Sequence, residues 1–415
     1  MAVTTDSPST RARAAARTLA TLGRGAKDAA LEQIALAIER DSAAIVEANA
    51  EDLAAARASG QSSALLDRLT LDSERVLALC DAVRAVAALD DPVGQVVTGW
   101  RLPNGLDVQK VRVPLGVLLV VYEARPNVTV DVASLCLKSG NACLLRGSTS
   151  ARATNAALLR CVRDGLKAAG LPEDAVVPLE ASREELAAIV ADPSACDVVI
   201  PRGGEALKKF LLEHARVPVL VAAGGNCHVY LHADADPAKA LPIVINAKTQ
   251  RPGVCNACET LLVHRDALPL LGPIGAELAE HGVELRADAE AAAALGAPSL
   301  AADEDDWATE FLDLVLAVRT VGSVEEAVEH IERYSTGHSE AIVTESIAAA
   351  DAFVLGISSA CVYVNASTRF TDGGEFGFGA EIGNSTARLH ARGPVGLADI
   401  TTTKYVVRGA GQIRA

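Results

Sequence analysis

An α/β architecture built on a doubly wound parallel sheet is the fold class this sequence predicts, and three observations carry it. From Gly116 onward, short apolar runs alternate with amphipathic stretches at helical spacing, the pattern of β-α-β crossover units. Those short runs place Val, Leu and Ile at successive positions, as strands buried on both faces require. Aromatic residues make up only 3% of the chain while half of it is apolar, which suits packed helices over parallel strands better than an antiparallel sandwich. At 415 residues the chain exceeds one core of ordinary size, so two or three domains are expected.

The formal charge of −15 argues against a nucleic-acid binder, because phosphate backbones are held by clustered Lys and Arg. Any anionic ligand must meet positive groups placed locally. Nine cysteines, scattered and odd in number, with no apolar leader ahead of them, favour reduced thiols in a cytoplasmic protein over a disulfide framework. No apolar run reaches membrane-spanning length; the best candidate, Val113 to Val121, stops at Tyr122-Glu123-Ala124-Arg125. Met1 to Thr10 is Ser/Thr-rich and is expected to be a loose tail.

Taken in order, Arg11–Leu22, Lys27–Ala58 with a break near Asp41-Ser42, and Ser63–Leu89 show Ala/Leu-rich helical spacing, and they form a helical cover. Asn104-Gly105 then separates two Val-rich runs, so Val96–Arg101 and Leu106–Val113 are expected to pair as a hairpin. A lone hairpin is marginal in water, which points to a partner subunit as its support. Next come strands at Val117–Tyr122, Ala142–Arg146, Ala175–Leu179, Val198–Pro201 and Val219–Val221, with helices between them. A second α/β section follows from Asn226: helix Pro237–Lys248, strand Thr260–His264, helix Leu268–His281, strands Leu314–Arg319, Ala341–Thr344 and Cys361–Asn365. The acidic stretch Ala287–Asp306 is expected to be a solvated excursion. The terminal run Ile400–Val407 is strand-like and able to add to the hairpin.

Ligands of such sheets bind beyond the carboxyl ends of strands. Asn127 there either caps a helix or faces a ligand. Arg146-Gly147-Ser148-Thr149 places a cation and hydroxyls at a strand end, where Arg146 suits the 2′-phosphate of a phosphorylated nicotinamide cofactor. Pro201-Arg202-Gly203-Gly204 lets a ligand approach backbone at a helix start. Neither a G-x-G-x-x-G fingerprint nor a P-loop is present. Between a helical run and a strand lies Lys248-Thr249-Gln250-Arg251-Pro252-Gly253-Val254-Cys255, a thiol just after a Pro-Gly break. Lys248 and Arg251 would favour its nucleophilic thiolate; a small buried hydrophobe is the alternative reading of Cys255. Cys255-Asn256-Ala257-Cys258 also fits C-x-x-C, but with no second pair and no His pair at metal spacing, no metal site is assigned.

Together with Tyr122 to Thr129, Leu144 to Gly147 and Val364-Asn365-Ala366-Ser367-Thr368-Arg369-Phe370-Thr371-Asp372-Gly373-Gly374, these motifs occur in an order that resembles the aldehyde dehydrogenase superfamily over nearly the whole chain. The resemblance is to its branch that reduces gamma-glutamyl phosphate with NADPH to glutamate 5-semialdehyde and phosphate, the second step of proline biosynthesis from glutamate. It implies Cys255 as nucleophile and Asn127, with the Cys255 backbone N–H, as donors to the oxyanion. It implies Arg202, Gly203, Gly204 and Glu310 as cofactor contacts, beside Arg146 and Ser148 at their strand end. Arg125, Lys248, Arg251, Ser367 and Arg369 are the candidates for the substrate's carboxylate and phosphate, the arginines because guanidinium matches both in a planar fork; structural ion pairing is the competing explanation for each cation. Ala222 falls where hydrolytic members carry the glutamate that activates water, so phosphate and not water is the expected partner of the thioester.

The implied plan is aldehyde-dehydrogenase-like: a cofactor domain over 1–95 and 114–228, a second α/β catalytic domain over 229–390, and a small β oligomerisation arm over 96–113 and 391–415. A homo-oligomer of at least two subunits follows from the arm, and the lability of an acyl phosphate suggests handover from glutamate 5-kinase. The competing readings are an aldehyde-oxidising dehydrogenase for another acid semialdehyde, a zinc or redox module at the C-x-x-C, and a scaffold without NADPH binding.

Overall fold

The computed structural model describes residues 7–221 and 224–414. They divide into two units, Met1–Val221 with Gly377–Gly383 and Val395–Ala415, and Ala222–Phe376 with Asn384–Pro394. The boundary near residue 222 and the assignment of 377–383 to the first unit differ from the sequence-based division, because these segments make their contacts there.

The first unit opens with helices α1 (Pro8–Leu19), α2 (Arg24–Arg40), α3 (Ser42–Ala58), α4 (Ser63–Leu69) and α5 (Ser73–Ala88). Ser7 accepts the Thr10 N–H at 3.2 Å and Pro8 stands at the first turn, so the helix begins inside the segment expected to be a loose tail. Residues 1–6 lie outside the described residues. Asp41 breaks the long helical run where expected; Thr70–Asp72 breaks the next, with Asp72 capping α5 through the Arg75 N–H at 2.8 Å. The cover contains buried charge that periodicity cannot show: Lys27, fully enclosed, pairs with Asp91 at 2.8 Å.

Strands β1 (Val96–Arg101) and β2 (Asp107–Pro114) form the antiparallel hairpin. The chain then winds through β3 (Val117–Tyr122), α6 (Asn127–Lys138), β4 (Ala142–Arg146), α7 (Arg152–Ala168), β5 (Val176–Pro178), α8 (Arg183–Val190), β6 (Val198–Arg202) and α9 (Glu205–His214). The sheet is parallel in the order β5-β4-β3-β6, and every residue of β3 is buried, as its unbroken apolar run requires. Its register places Val121 beside Arg146 and Tyr122 beside Arg202, gathering three strand ends on one edge. The strand expected at Val219–Val221 reduces to a single bridge, Val199 to Val219, held by the Val199 N–H to Pro218 O and the Leu220 N–H to Val199 O, each at 2.9 Å.

The second unit carries β7 (Cys227–Leu231), α10 (Pro237–Thr249), β8 (Cys258–His264), β9 (Glu284–Ala287), β10 (Leu300–Ala301), β11 (Val315–Val321), β12 (Ser339–Val343) and β13 (Cys361–Val364) in a seven-stranded parallel sheet ordered β10-β9-β11-β8-β7-β12-β13. The acidic stretch 287–306 is therefore no solvated excursion. It contributes to β9 and β10, and Ala291 and Leu295 are fully buried; its charge count masked a short helix, 289–294, capped by Asp288. Short strands β14 (Asn384–Ser385) and β15 (Gly393–Pro394) pair in the same unit.

The last strand, β16 (Thr401–Arg408), returns to the first unit and lies antiparallel to β2, completing a three-stranded sheet. Val96, Val97, Trp100, Tyr405 and Val407 of this sheet are exposed. Among the described residues no helix is long and apolar enough to cross a membrane.

Candidate active site

In the first unit, the carboxyl ends of β3, β4 and β5 open onto a cavity of about 830 Å³, lined among others by Tyr122, Arg146, Gly147, Ser148, Asn155 and Arg163. Gly147 has a steric reason to be glycine: a Cβ there would lie 2.4 Å from Asn155 Nδ2 and 3.1 Å from the Tyr122 ring. Tyr122 OH shares a 2.8 Å hydrogen bond with Thr129 Oγ1, which donates to Asn155 Oδ1 at 3.1 Å, so the cavity floor is a fixed polar chain that sequence reading missed. Arg146 has no carboxylate partner among the described residues; its guanidinium reaches only Ala181 O, at 3.4 Å. A cation left so in a concave site fits a phosphate. Ser148 Oγ accepts the Ala124 N–H at 3.3 Å, and Ala124 is held at φ 39°, a left-handed backbone for a non-glycine residue that turns the chain sharply into Arg125 and Asn127.

Arg202, Gly203 and Gly204 do not line this cavity. The Gly204 N–H is taken by the Glu123 carboxylate at 3.0 Å, and a Cβ at Gly203 would meet the same carboxylate at 2.6 Å. The helix start expected to face a pyrophosphate is thus satisfied within the protein, by the acidic residue at the end of β3. Asn127 is the first residue of α6 and makes no cap with its side chain; its Nδ2 donates instead to Asp131 Oδ2 at 2.9 Å. The capping alternative for Asn127 is therefore not what the structure shows.

In the second unit, Cys255 lies in the loop between α10 and β8, so the thiol sits at the amino end of a strand, unlike the cavity of the first unit. Cys255 is half-buried, whereas Cys227 and Cys258 are fully buried. Burial pushes the Cys258 thiol up to about 12, the behaviour of a packing residue. The loop is clamped from three directions. Asn256 donates its amide to Arg369 O and Thr371 O at 3.2 and 3.0 Å, and its own carbonyl accepts Thr368 Oγ1 at 2.8 Å. The Cys227 thiol donates to Cys255 O at 3.2 Å. Gly225 presses on the loop so closely that a Cβ would fall 1.4 Å from Cys255 O.

The substrate candidates separate here. Arg369 donates to Gln250 Oε1 at 2.8 Å and to Asn256 Oδ1, and its pKa is lowered, first by burial and then by the Arg251 charge, with Cys255 acting in the opposite sense. Arg251 is exposed beside it. These two form a cationic pair at the thiol loop. Lys248, by contrast, is fully buried and paired with Glu259 at 2.6 Å, so it is not a substrate contact. Ser367 is buried and accepts the Arg369 N–H at 3.3 Å, which makes it a support for the turn carrying Arg369. Glu310, expected on a cofactor ribose, accepts the Gly225 N–H at 2.5 Å and so braces the loop through Gly225. Arg125 stays at the end of β3, half-buried. Ala222 lies outside the described residues, and no group of three His, Cys, Asp or Glu poised to hold a metal ion occurs among them.

Gly225→Ala is expected to push the Cys255 carbonyl aside, costing about 1–3 kcal/mol of stability by overpacking and most of the activity. Denaturant unfolding together with a turnover assay checks both, and wild-type turnover in the variant would show that the close approach is dispensable.

The aldehyde dehydrogenase family model matches residues 4–296. The gamma-glutamyl phosphate reductases of Thermobifida fusca and Moorella thermoacetica are each 53% identical to the chain, over 97% of it and 97% of their own length. The crystal structure of gamma-glutamyl phosphate reductase from Thermotoga maritima superposes with a TM-score of 0.95 at 45% identity, covering 98% of this chain and 99% of the other. An acetylating aldehyde dehydrogenase from Geobacillus thermoglucosidasius, 20% identical with a TM-score of 0.69 and with 98% and 97% of the two chains covered, shares the fold.

Proposed function

The chain belongs to the aldehyde dehydrogenase family, and we propose that it reduces gamma-glutamyl phosphate with NADPH to glutamate 5-semialdehyde and inorganic phosphate, the second step of proline biosynthesis from glutamate. The observation that carries this reading is the end-to-end match at 53% identity to relatives of that name.

The Cys255 thiolate attacks the acyl carbonyl; a C–S bond forms, the C–O bond to phosphorus breaks, and phosphate leaves with that electron pair. A nicotinamide cofactor, held by Arg146 and Ser148 in the cavity of the first unit, would supply the hydride that reduces the thioester carbon. The Cys255 backbone N–H and the Asn127 amide stabilise the oxyanion formed at each addition, and collapse of the second breaks C–S, releases the aldehyde and restores the thiolate. Arg369 and Arg251 supply positive charge for the substrate's anionic groups, and Arg125 is a third candidate for that role. Clamping by Asn256, Gly225 and Glu310 fixes the backbone that carries Cys255, so little reorganisation of the loop is needed when charge moves.

The cavity of the first unit fits a phosphorylated nicotinamide nucleotide, with Arg146 for the 2′-phosphate and Ser148 beside it. Arg146→Ala is expected to raise KM for NADPH roughly ten- to hundredfold, the worth of one charge-assisted hydrogen bond, and to leave KM for NADH nearly unchanged. Initial rates with both nucleotides check this; equal losses would take Arg146 off the 2′-phosphate. The exposed apolar residues of the three-stranded sheet suit association into a dimer or larger homo-oligomer, and the protein works in the cytoplasm, where glutamate 5-kinase delivers its labile substrate.

The test runs the reaction in reverse. NADP reduction by glutamate 5-semialdehyde is expected to require inorganic phosphate, whereas faster, phosphate-free turnover of another acid semialdehyde would replace this assignment with an aldehyde-oxidising one.

A further inference from the structure

We infer that Asp131 is the positioning residue for the Asn127 amide, acting through the 2.9 Å hydrogen bond from Asn127 Nδ2 to Asp131 Oδ2 one turn along α6. The inference rests on the reading of Asn127 as an oxyanion donor. A primary amide has two faces, and only one of them helps: its nitrogen stabilises an oxyanion, while its oxygen repels one. Nothing in a free asparagine selects between them, because the two differ by a half-turn of the terminal torsion.

A carboxylate is an acceptor only, so Asp131 fixes that choice. It binds one hydrogen of Nδ2 and leaves the second hydrogen of the same nitrogen for the substrate. The bond also removes the side chain from the helix-capping geometry that asparagine otherwise favours, which agrees with the absence of a cap at the start of α6. Asp131 has a reason to remain an acceptor: burial pushes its carboxyl up to about 6, while the Asn127 bond and then the charge of Arg202 hold it down, leaving the carboxylate form dominant at neutral pH. Arg202, which does not line the cofactor cavity, thereby acts through its charge on the Asp131 carboxyl.

An ordinary helical pair at this spacing would affect stability slightly and chemistry not at all. A positioning role differs in what it moves. Four variants distinguish them: Asn127→Ala, Asp131→Leu, Asp131→Asn and the double variant Asn127→Ala/Asp131→Leu, with Asp131→Ala replacing the leucine variant should that one not fold. Asn127→Ala is expected to lower kcat about 10²–10³-fold, as loss of one oxyanion donor does. Asp131→Leu is expected to lower kcat roughly tenfold or more with KM for the semialdehyde nearly unchanged, and Asp131→Asn, whose side-chain oxygen still accepts, to recover most of it. In the Asn127→Ala background the Asp131 change should add less than about twofold, because coupled groups are not additive. If Asn127→Ala retains near-wild-type kcat, the reading of Asn127 itself falls. If Asn127→Ala behaves as expected but Asp131→Leu keeps kcat, or multiplies its full factor onto the double variant, the positioning role is overturned.

Discussion

Cys255→Ser is expected to lower turnover by about 10⁴-fold or more while leaving the fold and NADPH binding intact. The size follows from what the thiol contributes. Serine at the same place is a far weaker nucleophile at neutral pH, and the loop supplies it with cations but no general base. The clamp around the residue predicts that the defect is purely chemical. Asn256, Gly225 and the Cys227 thiol hold backbone atoms of the loop, not the Cys255 sulfur, so the variant keeps its geometry. Calorimetric titration with NADPH alongside the turnover assay checks this separation. A serine variant within tenfold of wild type would remove Cys255 from the chemistry.

Lys248→Met is expected to destabilise the protein by about 3–5 kcal/mol near pH 8, the cost of leaving one member of a buried ion pair alone. Lys248 and Glu259 are both fully buried, with 2.6 Å between Nζ and Oε2, and the second Glu259 oxygen accepts the Leu312 N–H at 3.2 Å. Leu312 has φ 54°, so the carboxylate also holds a left-handed turn two residues after Glu310, which braces Gly225. Against total stabilities of about 5–15 kcal/mol the loss is severe. The pH dependence has a definite sign. Burial pushes the Glu259 carboxyl from 4.5 up to about 7 despite the pull of Lys248, so the folded state holds this proton more tightly than the unfolded one. Its contribution to stability is therefore greatest below about pH 4.5 and falls as pH rises toward 7. Without Lys248 the carboxyl rises further, and the deficit of the variant should be smaller at pH 5 than at pH 8. Lys248→Met/Glu259→Leu should regain much of the loss. Urea unfolding at both pH values measures all of this, and a deficit below about 1 kcal/mol at pH 8 would mean that the pair is structurally idle.

Much of this was legible in the sequence, for physical reasons that also explain the rest. Continuous apolar runs such as Val117–Tyr122 fix buried strands, and that strand lies where it was expected. Asn104-Gly105 announced the hairpin, and the strand-like run Ile400–Val407 announced its third strand. What failed was inference from charge alone. The acids of 287–306 suggested solvent, yet short apolar faces of Ala291 and Leu295 decided the packing. Lys248 resembled a substrate cation because a sequence does not show that Glu259, eleven positions on, shares its enclosure. Gly203-Gly204 suggested a phosphate cradle, but Glu123 is brought there only by the parallel register of β3 and β6. Side-chain pairing across a fold is a three-dimensional property, and so the candidate cations were named in sequence but sorted only in structure.

The proposed chemistry requires that Cys255 carry an acyl group whose natural partner is phosphate and not water. A rapid-mixing experiment with glutamate 5-semialdehyde and NADP in phosphate-free buffer tests it most directly. A burst of about one NADPH per subunit should form and then stall, and addition of phosphate should restart turnover. Steady NADPH production without phosphate would contradict this chemistry, because it would require water to resolve the thioester.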